Sequence, residues 1–253
     1  MAPIYTRAGA FSRPFFQDEA AVPEVQVDPV GPEDRIAEKA GGVESRYLAE
    51  GGLAGTVTVT FLGQEALVRR VDHIGDDETE VRQDFENELA ELLPAGAKVT
   101  VTELENIDNN ADSVVAHFKI VLDGLATPAG NKTILPVSPL LGSRRHPFRH
   151  AKRTHPVYFP YPHREFDDIV VTLPAGMTAE TVPPARKKDL EAFGFSLVCV
   201  GEDGGKLHVQ RDLVVKKSFF AVDQFKAVKA FFDEVTAGDE ELVVLRRPGA
   251  PGR

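Results

Sequence analysis

The sequence predicts a mainly β, α+β protein: two β-sandwich-like units, each with one amphipathic helix packed on a sheet. Three observations carry that expectation. Apolar residues alternate with polar ones over several short runs, the period of half-buried strands. Two longer stretches place apolar residues at the three- and four-residue spacing of a helix face. At 253 residues and 42% hydrophobic content the chain can bury a real core, enough for one large or two ordinary domains.

Residues 1–50 read as an extended lead-in, because 22–42 are rich in Pro, Asp and Glu with little periodicity. The first β-rich unit is expected over 51–141. TVTVTF at 56–61 sets Val57, Val59 and Phe61 on one face, and Gly63 punctuates. Asp77 followed by Glu80 predicts a capping box, and Val81, Phe85, Leu89 and Leu92 recur at helical spacing until Pro94 and Gly96. Strands follow at 98–104, at 114–122 with Val114, Ala116, Phe118, Ile120 and Leu122 inward, and around 133–137. A basic Pro/His linker occupies 142–155, and the second unit spans 156–247. There Ile169, Val171 and Leu173 alternate. Phe193, Phe195, Leu197 and Cys199 share a face, Gly204-Gly205 closes a hairpin, and Leu207, Val209, Leu213 and Val215 return along its partner strand. Arg186-Lys187-Lys188 reads as a charged turn. Val222, Phe225, Val228, Phe232 and Val235 mark the second helix, with Gly238 at its C-terminal cap and a last strand over 241–245. Residues 248–253 are a tail.

A net charge of −10 repels phosphate backbones and anionic lipid as a whole-molecule field, so no nucleic-acid partner is expected. One cysteine forms no internal disulfide and no thiolate zinc set. Residues 1–16 contain no apolar core of a secretory signal, and no run approaches a membrane span.

The segment SRRHPFRHAKRTHPVYFPYPHR at 143–164 holds no acid and is the most specified stretch of the chain. His146, His150, His155 and His163 could converge on a metal and serve a metal-dependent hydrolase. Pro147 disfavours the helix that would align His146 with His150, and no cysteine completes a zinc set, so loop histidines are the expectation. Arg144, Arg145, Arg149, Lys152, Arg153 and Arg164 interleave with Phe148, Tyr158, Phe159 and Tyr161, as a polyanion-binding module would have them. Against that, arginines on an acidic protein usually pair with its own carboxylates. Arg144, Arg145, His146, Arg149, Arg153 and His155 are the candidate contacts for an anion or a partner.

Other chemistry is thinner. Asp108, Asn110 and Asp112 begin like a calcium loop, but Ser113 and Lys119 stand where glycine and glutamate are required. Cys199 lies in an apolar strand as an inert thiol, and His208 falls on the opposite sheet face from Leu207 and Val209. His117 shares a face with Lys119 and Val121 and is expected in solvent, and His73 is a loop residue. No nucleophile elbow or phosphate loop occurs. Asp167-Asp168 and Glu240-Glu241 are adjacent pairs that point to opposite faces of a strand. Asn131-Lys132-Thr133 fits a glycosylation sequon, relevant only along a eukaryotic secretory route. No cofactor is implied.

EGGLAGTVTVTFLGQEALVRR at 50–70, SRRHPFRHAKRTHPVYFPYP, DDIVVTLPAGMTAETVP, LHVQRDLVVKK and the helix FKAVKAFFDEV keep their order. Together they resemble the region after the catalytic core of bacterial multidomain transglutaminase-like proteins, over about 50–247. In that family a β-sandwich domain of unknown function precedes the core and β-rich domains of unknown function follow it. The catalytic cysteine, histidine and aspartate belong to the core, and no position here matches them. The resemblance implies a noncatalytic piece, not itself an enzyme, with a transglutaminase-like core or a cell-surface protein as partner, exported when full length. Such a piece should carry a contiguous apolar patch on its first unit, near the lead-in, where the missing domain attached.

Overall fold

The computed structural model describes residues 37–48, 51–109, 113–137, 146–148, 150–190 and 193–247. Arg144, Arg145 and Arg149, with Asn110 and Asp112 of the calcium-like run, lie outside them. The first part holds β1 (Ala37–Tyr47), β2 (Leu53–Leu62), α1 (Gln64–Asp72), α2 (Glu78–Ala90), β3 (Lys98–Glu105), β4 (Ser113–Leu122), β5 (Thr127–Ala129) and β6 (Lys132–Pro136). The remainder adds β7 (Val157–Tyr158), β8 (His163–Thr172), β9 (Thr178–Thr181), β10 (Arg186–Leu190), β11 (Gly194–Asp203), β12 (Lys206–Val215), β13 (Phe219–Phe220), α3 (Phe225–Asp239) and β14 (Leu242–Arg246). The protein is thus mainly β with few helices, as the alternation predicts.

Eight strands form one sheet in the order β10-β11-β12-β8-β1-β2-β4-β3. Its centre is β1, antiparallel to β2 and parallel to β8, so strands from both expected units hydrogen-bond through a strand drawn from the expected lead-in. The reason β1 escapes pattern reading is chemical. Its core-side positions are Lys39, Gly41, Val43, Ser45 and Tyr47, opposite Phe61, Val59, Val57, Gly55 and Leu53, so the apolar period is broken by a lysine, a glycine and a serine.

One face of this sheet supplies the main core. Val57, Val59 and Phe61 of β2 meet Val114, Ala116, Phe118, Ile120 and Leu122 of β4, Ile169 and Val171 of β8, and Leu207 and Val209 of β12. A four-stranded sheet, β5-β6-β14-β9, adds Leu135, Val243 and Leu245 to the same cluster, and α2 adds Val81, Phe85 and Leu89. The capping box forms as expected: Thr79 and Glu80 amides donate to Asp77 Oδ1 at 2.7 and 3.0 Å, and the Asp77 amide donates to Glu80 Oε2 at 3.2 Å. A second cluster lies under α3, where Val228, Phe231 and Val235 pack with Leu213, Val215 and Phe220. Phe148 of the basic segment enters it edge-on to Phe232 and Phe225, with centroids 5.4 and 5.5 Å away.

Several details differ from expectation. The first unit carries two helices, because Gln64–Asp72 is also helical. The charged run at 186–188 is the edge strand β10 instead of a turn, where lysine and arginine suit an unpaired edge. Helix α3 runs through Gly238 to its cap at Glu240; Gly238 is a packing glycine whose Cβ would lie 3.2 Å from Val198 Cγ2. Val198 and Val200 face the main core, so Phe195, Leu197 and Cys199 share the other face of the sheet. The β11–β12 turn is the expected glycine pair, with φ of 55° and 79°.

Removing 37–47 takes out the middle of the large sheet, and the shortened protein is expected to lose its cooperative denaturant transition. Phe118→Ala, by comparison, should lower stability by about 3–5 kcal/mol with the transition intact, measured by urea unfolding.

Candidate functional site

The histidines of the basic segment do not gather. His146 Nε2 lies 3.0 Å from Asp233 Oδ1, and its Nδ1 accepts the Phe148 amide at 2.9 Å. His163 is a half-buried residue of β8 rather than a loop residue, its pKa pushed down by desolvation against the pull of Glu165, whose carboxylate is 3.9 Å away. His150 and His155 are exposed and line an open groove of about 390 Å³ with Lys152, Arg153, Phe148 and Phe225. Arg164 faces away from that groove: its guanidinium donates to Asp212 at 3.0 and 3.1 Å and to Glu38 at 3.3 Å, the self-pairing expected of arginine on an acidic protein.

Two other groups of side chains stand close enough to share a cation: His73 with Asp76 and Asp84, and Glu103 with Glu105 and His117. In each the imidazole already pairs with a carboxylate, His73 with Asp76 at 3.1 Å and His117 with Glu105 at 2.8 Å. His117 also hydrogen-bonds Thr58 and is half-buried rather than in open solvent. Cys199 is half-buried, burial raises its pKa, and its cross-strand neighbour is Gln210.

The feature that sequence reading missed is a seam of buried charge on the core side of the large sheet. Register aligns Lys39 of β1 with Glu165 of β8, and Asp167 of β8 with Arg211 of β12. Lys39, Glu65, Glu165, Asp167 and Arg211 are each at most 3% exposed. Glu65, from the first turn of α1, receives Lys39 Nζ at 3.0 Å, the Tyr161 hydroxyl at 2.9 Å and Arg69 at 2.9 Å. Arg69 continues to Glu88 of α2 at 2.6 Å and lies 4.0 Å over the Phe61 ring. Arg211 forks onto Asp239 of α3 at 2.7 and 3.1 Å and reaches Glu165 and Asp167 at 3.1 and 3.4 Å. Burial pushes Lys39 down to about 8, against the attraction of Glu65, whereas for Arg211 the surrounding carboxylates outweigh burial and hold the charge. Such buried charge ties α1, α3 and the sheet together.

The same arrangement turns α1 inside out. Its buried residues are Glu65, Ala66 and Arg69, while Leu67, Val71 and, just past its end, Ile74 are 50%, 55% and 78% exposed. Spacing of four and three residues puts them on one stripe. A separate open groove of about 310 Å³ is lined by Arg69, Asp72 and His73 from the α1 side and by Asp84, Glu88 and Glu91 from the α2 side. The signal was available in LGQEALVRRVDHI, but helical spacing there fits two faces, and only Lys39 and Tyr161 across space select the charged one for burial.

Residues 131–245 match the family of a domain of unknown function with a solved structure, DUF3858. The matched stretch runs from β6 to β14, and so includes the basic segment and α3. A solved chain from Parabacteroides distasonis, described as a "putative protease", aligns at 20% identity with a TM-score of 0.40, covering 46% of this chain and 24% of that one. That likeness is too slight to bear on chemistry. No curated protein matches the sequence. No helix among the described residues is long and apolar enough to cross a membrane.

Arg211→Met leaves Glu165 and Asp167 buried without their shared counter-charge, and should cost about 3–5 kcal/mol in urea unfolding. For Lys39, a native pKa near 8 below an ordinary 10.5 means that the unfolded chain binds more protons between those values. Its burial cost is therefore full below pH 8 and relieved as pH rises. Wild-type stability minus that of Lys39→Met should climb by roughly 3 kcal/mol from pH 7 to 10.5. A flat difference would place the ammonium in water.

Proposed function

We propose that this chain is a noncatalytic β-rich accessory module that packs, through the outer stripe of α1, on a transglutaminase-like core. The observation that carries the reading is Leu67 and Val71 standing in solvent on a helix that buries Glu65 and Arg69, with Ile74 exposed just past its end. Three large apolar side chains on one stripe are a contact surface awaiting a partner rather than scattered exposure. The stripe lies where the resemblance leads one to expect it, on the first part of the chain and close to the start of β1, whose Glu38 pairs with Leu62 just before α1.

The chemistry of the partner follows from the stripe: exposed leucine, valine and isoleucine suit an apolar patch on the core. Support for a noncatalytic role comes from Cys199, whose thiol is held protonated by burial and has a glutamine across the strand, and from a charged seam that is closed to solvent. The match of 131–245 to a domain of unknown function agrees with an accessory part and assigns no activity.

Titration of a transglutaminase-like core with this protein, followed by isothermal calorimetry, should give saturable binding. Changing Leu67, Val71 and Ile74 together to serine should weaken it by about tenfold or more, since each carries apolar contact area at the interface. These positions are exposed, so the melting temperature should hold. Binding unchanged in the triple variant, or amine incorporation into casein by the chain on its own, would overturn the reading.

A further inference from the structure

The groove beside the start of α3 differs from every other charged region described so far. Arg69, Arg164, Arg186 and Arg211 each pair with carboxylates of this protein. Among the described residues Lys152 and Arg153 pair with no carboxylate, and no acid lines the groove they share with His150 and His155. Its floor is apolar: Phe148 and Phe225 are buried, and the Arg153 guanidinium stands 6.0 and 5.8 Å from their ring centroids. Helix α3 begins at Phe225, so the positive end of its dipole lies at the same place.

We infer that this groove is a binding site for a short acidic peptide segment, one that sets an apolar side chain on the Phe148–Phe225 floor and carboxylates against Lys152 and Arg153. The site is independent of the α1 stripe and goes beyond the docking role proposed for it. Cations that pair with no carboxylate among the described residues are available to an outside anion. Arg153 is already oriented by two aromatic rings, so little side-chain freedom is lost when a carboxylate arrives. A volume of about 390 Å³ falls in the range of small-ligand clefts and admits a few residues. Length decides between peptide and polyanion. A nucleic acid or sulfated polysaccharide extends past the groove into the field of a protein of net charge −10, which opposes each further charge, whereas a short peptide needs only the groove.

The test uses a fluorescein-labelled peptide alternating leucine and glutamate, its leucine-glutamine analogue, pyrophosphate and heparin, read by fluorescence anisotropy and competition. The glutamate peptide should bind and the glutamine analogue should not. Lys152→Ser with Arg153→Ser should weaken binding by about tenfold or more, while Lys206→Ser in the β11–β12 turn should leave it unchanged. Raising salt should weaken the wild-type interaction several-fold. Equal binding of the two peptides, or no effect of salt on the wild type, overturns the inference even if the double variant fails to fold. Heparin or pyrophosphate displacing the peptide at lower concentration than the peptide itself would assign the groove to a phosphate- or sulfate-bearing ligand instead.

Discussion

Lys39 is carried by β1 into the middle of the large sheet, and its ammonium has to be neutralised there by groups from elsewhere in the chain. That single requirement organises the neighbourhood. Glu65 answers it from the first turn of α1, at 3.0 Å, and in doing so fixes which face of that helix points inward. Arg69 and Tyr161 complete the same carboxylate, and Arg69 carries the connection to Glu88 on α2. On the far side of β8, Arg211 performs the corresponding task for Glu165 and Asp167 and links them to Asp239 near the end of α3. Buried charge of this kind adds little net stability compared with apolar packing, but the cost of leaving any member alone makes the arrangement specific.

The consequence reaches the surface. A helix that spends its inner face on glutamate and arginine has to present its leucine and valine outward. Exposure of Leu67, Val71 and Ile74 is therefore a result of the seam and not an accident of a poorly packed helix. The seam also sets what the protein can do chemically. Its carboxylates, lysine and arginines resemble the contents of an active site, but they are buried and pair with one another. Lys152 and Arg153, by contrast, line an open groove.

Legibility followed burial chemistry. Alternation in 114–122 and the stripe of α3 were readable because every inward position is apolar, so local spacing already states which side meets the core. The capping box at Asp77 and Glu80 was readable because both partners lie within one turn. For β1 the inward positions include Lys39, Gly41 and Ser45, and no local rule assigns a lysine to the inside of a sheet. At His163 the neighbouring prolines and arginines suggested a loop, whereas pairing with β1 and β12 makes it part of a central strand. The basic segment was recognisable as unusual by composition, but its division was not. Chemistry alone cannot say that His146 turns to Asp233 and Arg164 to Asp212 while Lys152 and Arg153 stay open.

By itself the sequence determined that the chain is mainly β, where most of its strands and two of its helices run, and which residues could pack the cores. These depend on periodicity and capping, which act over a few residues. Tertiary structure alone decided that β1 joins strands from both halves of the chain into one sheet, that charge is sealed along its core face, and that α1 shows its apolar side to solvent. Each of those outcomes rests on the partner a polar group finds across space, and a charged side chain carries no local mark of whether such a partner exists.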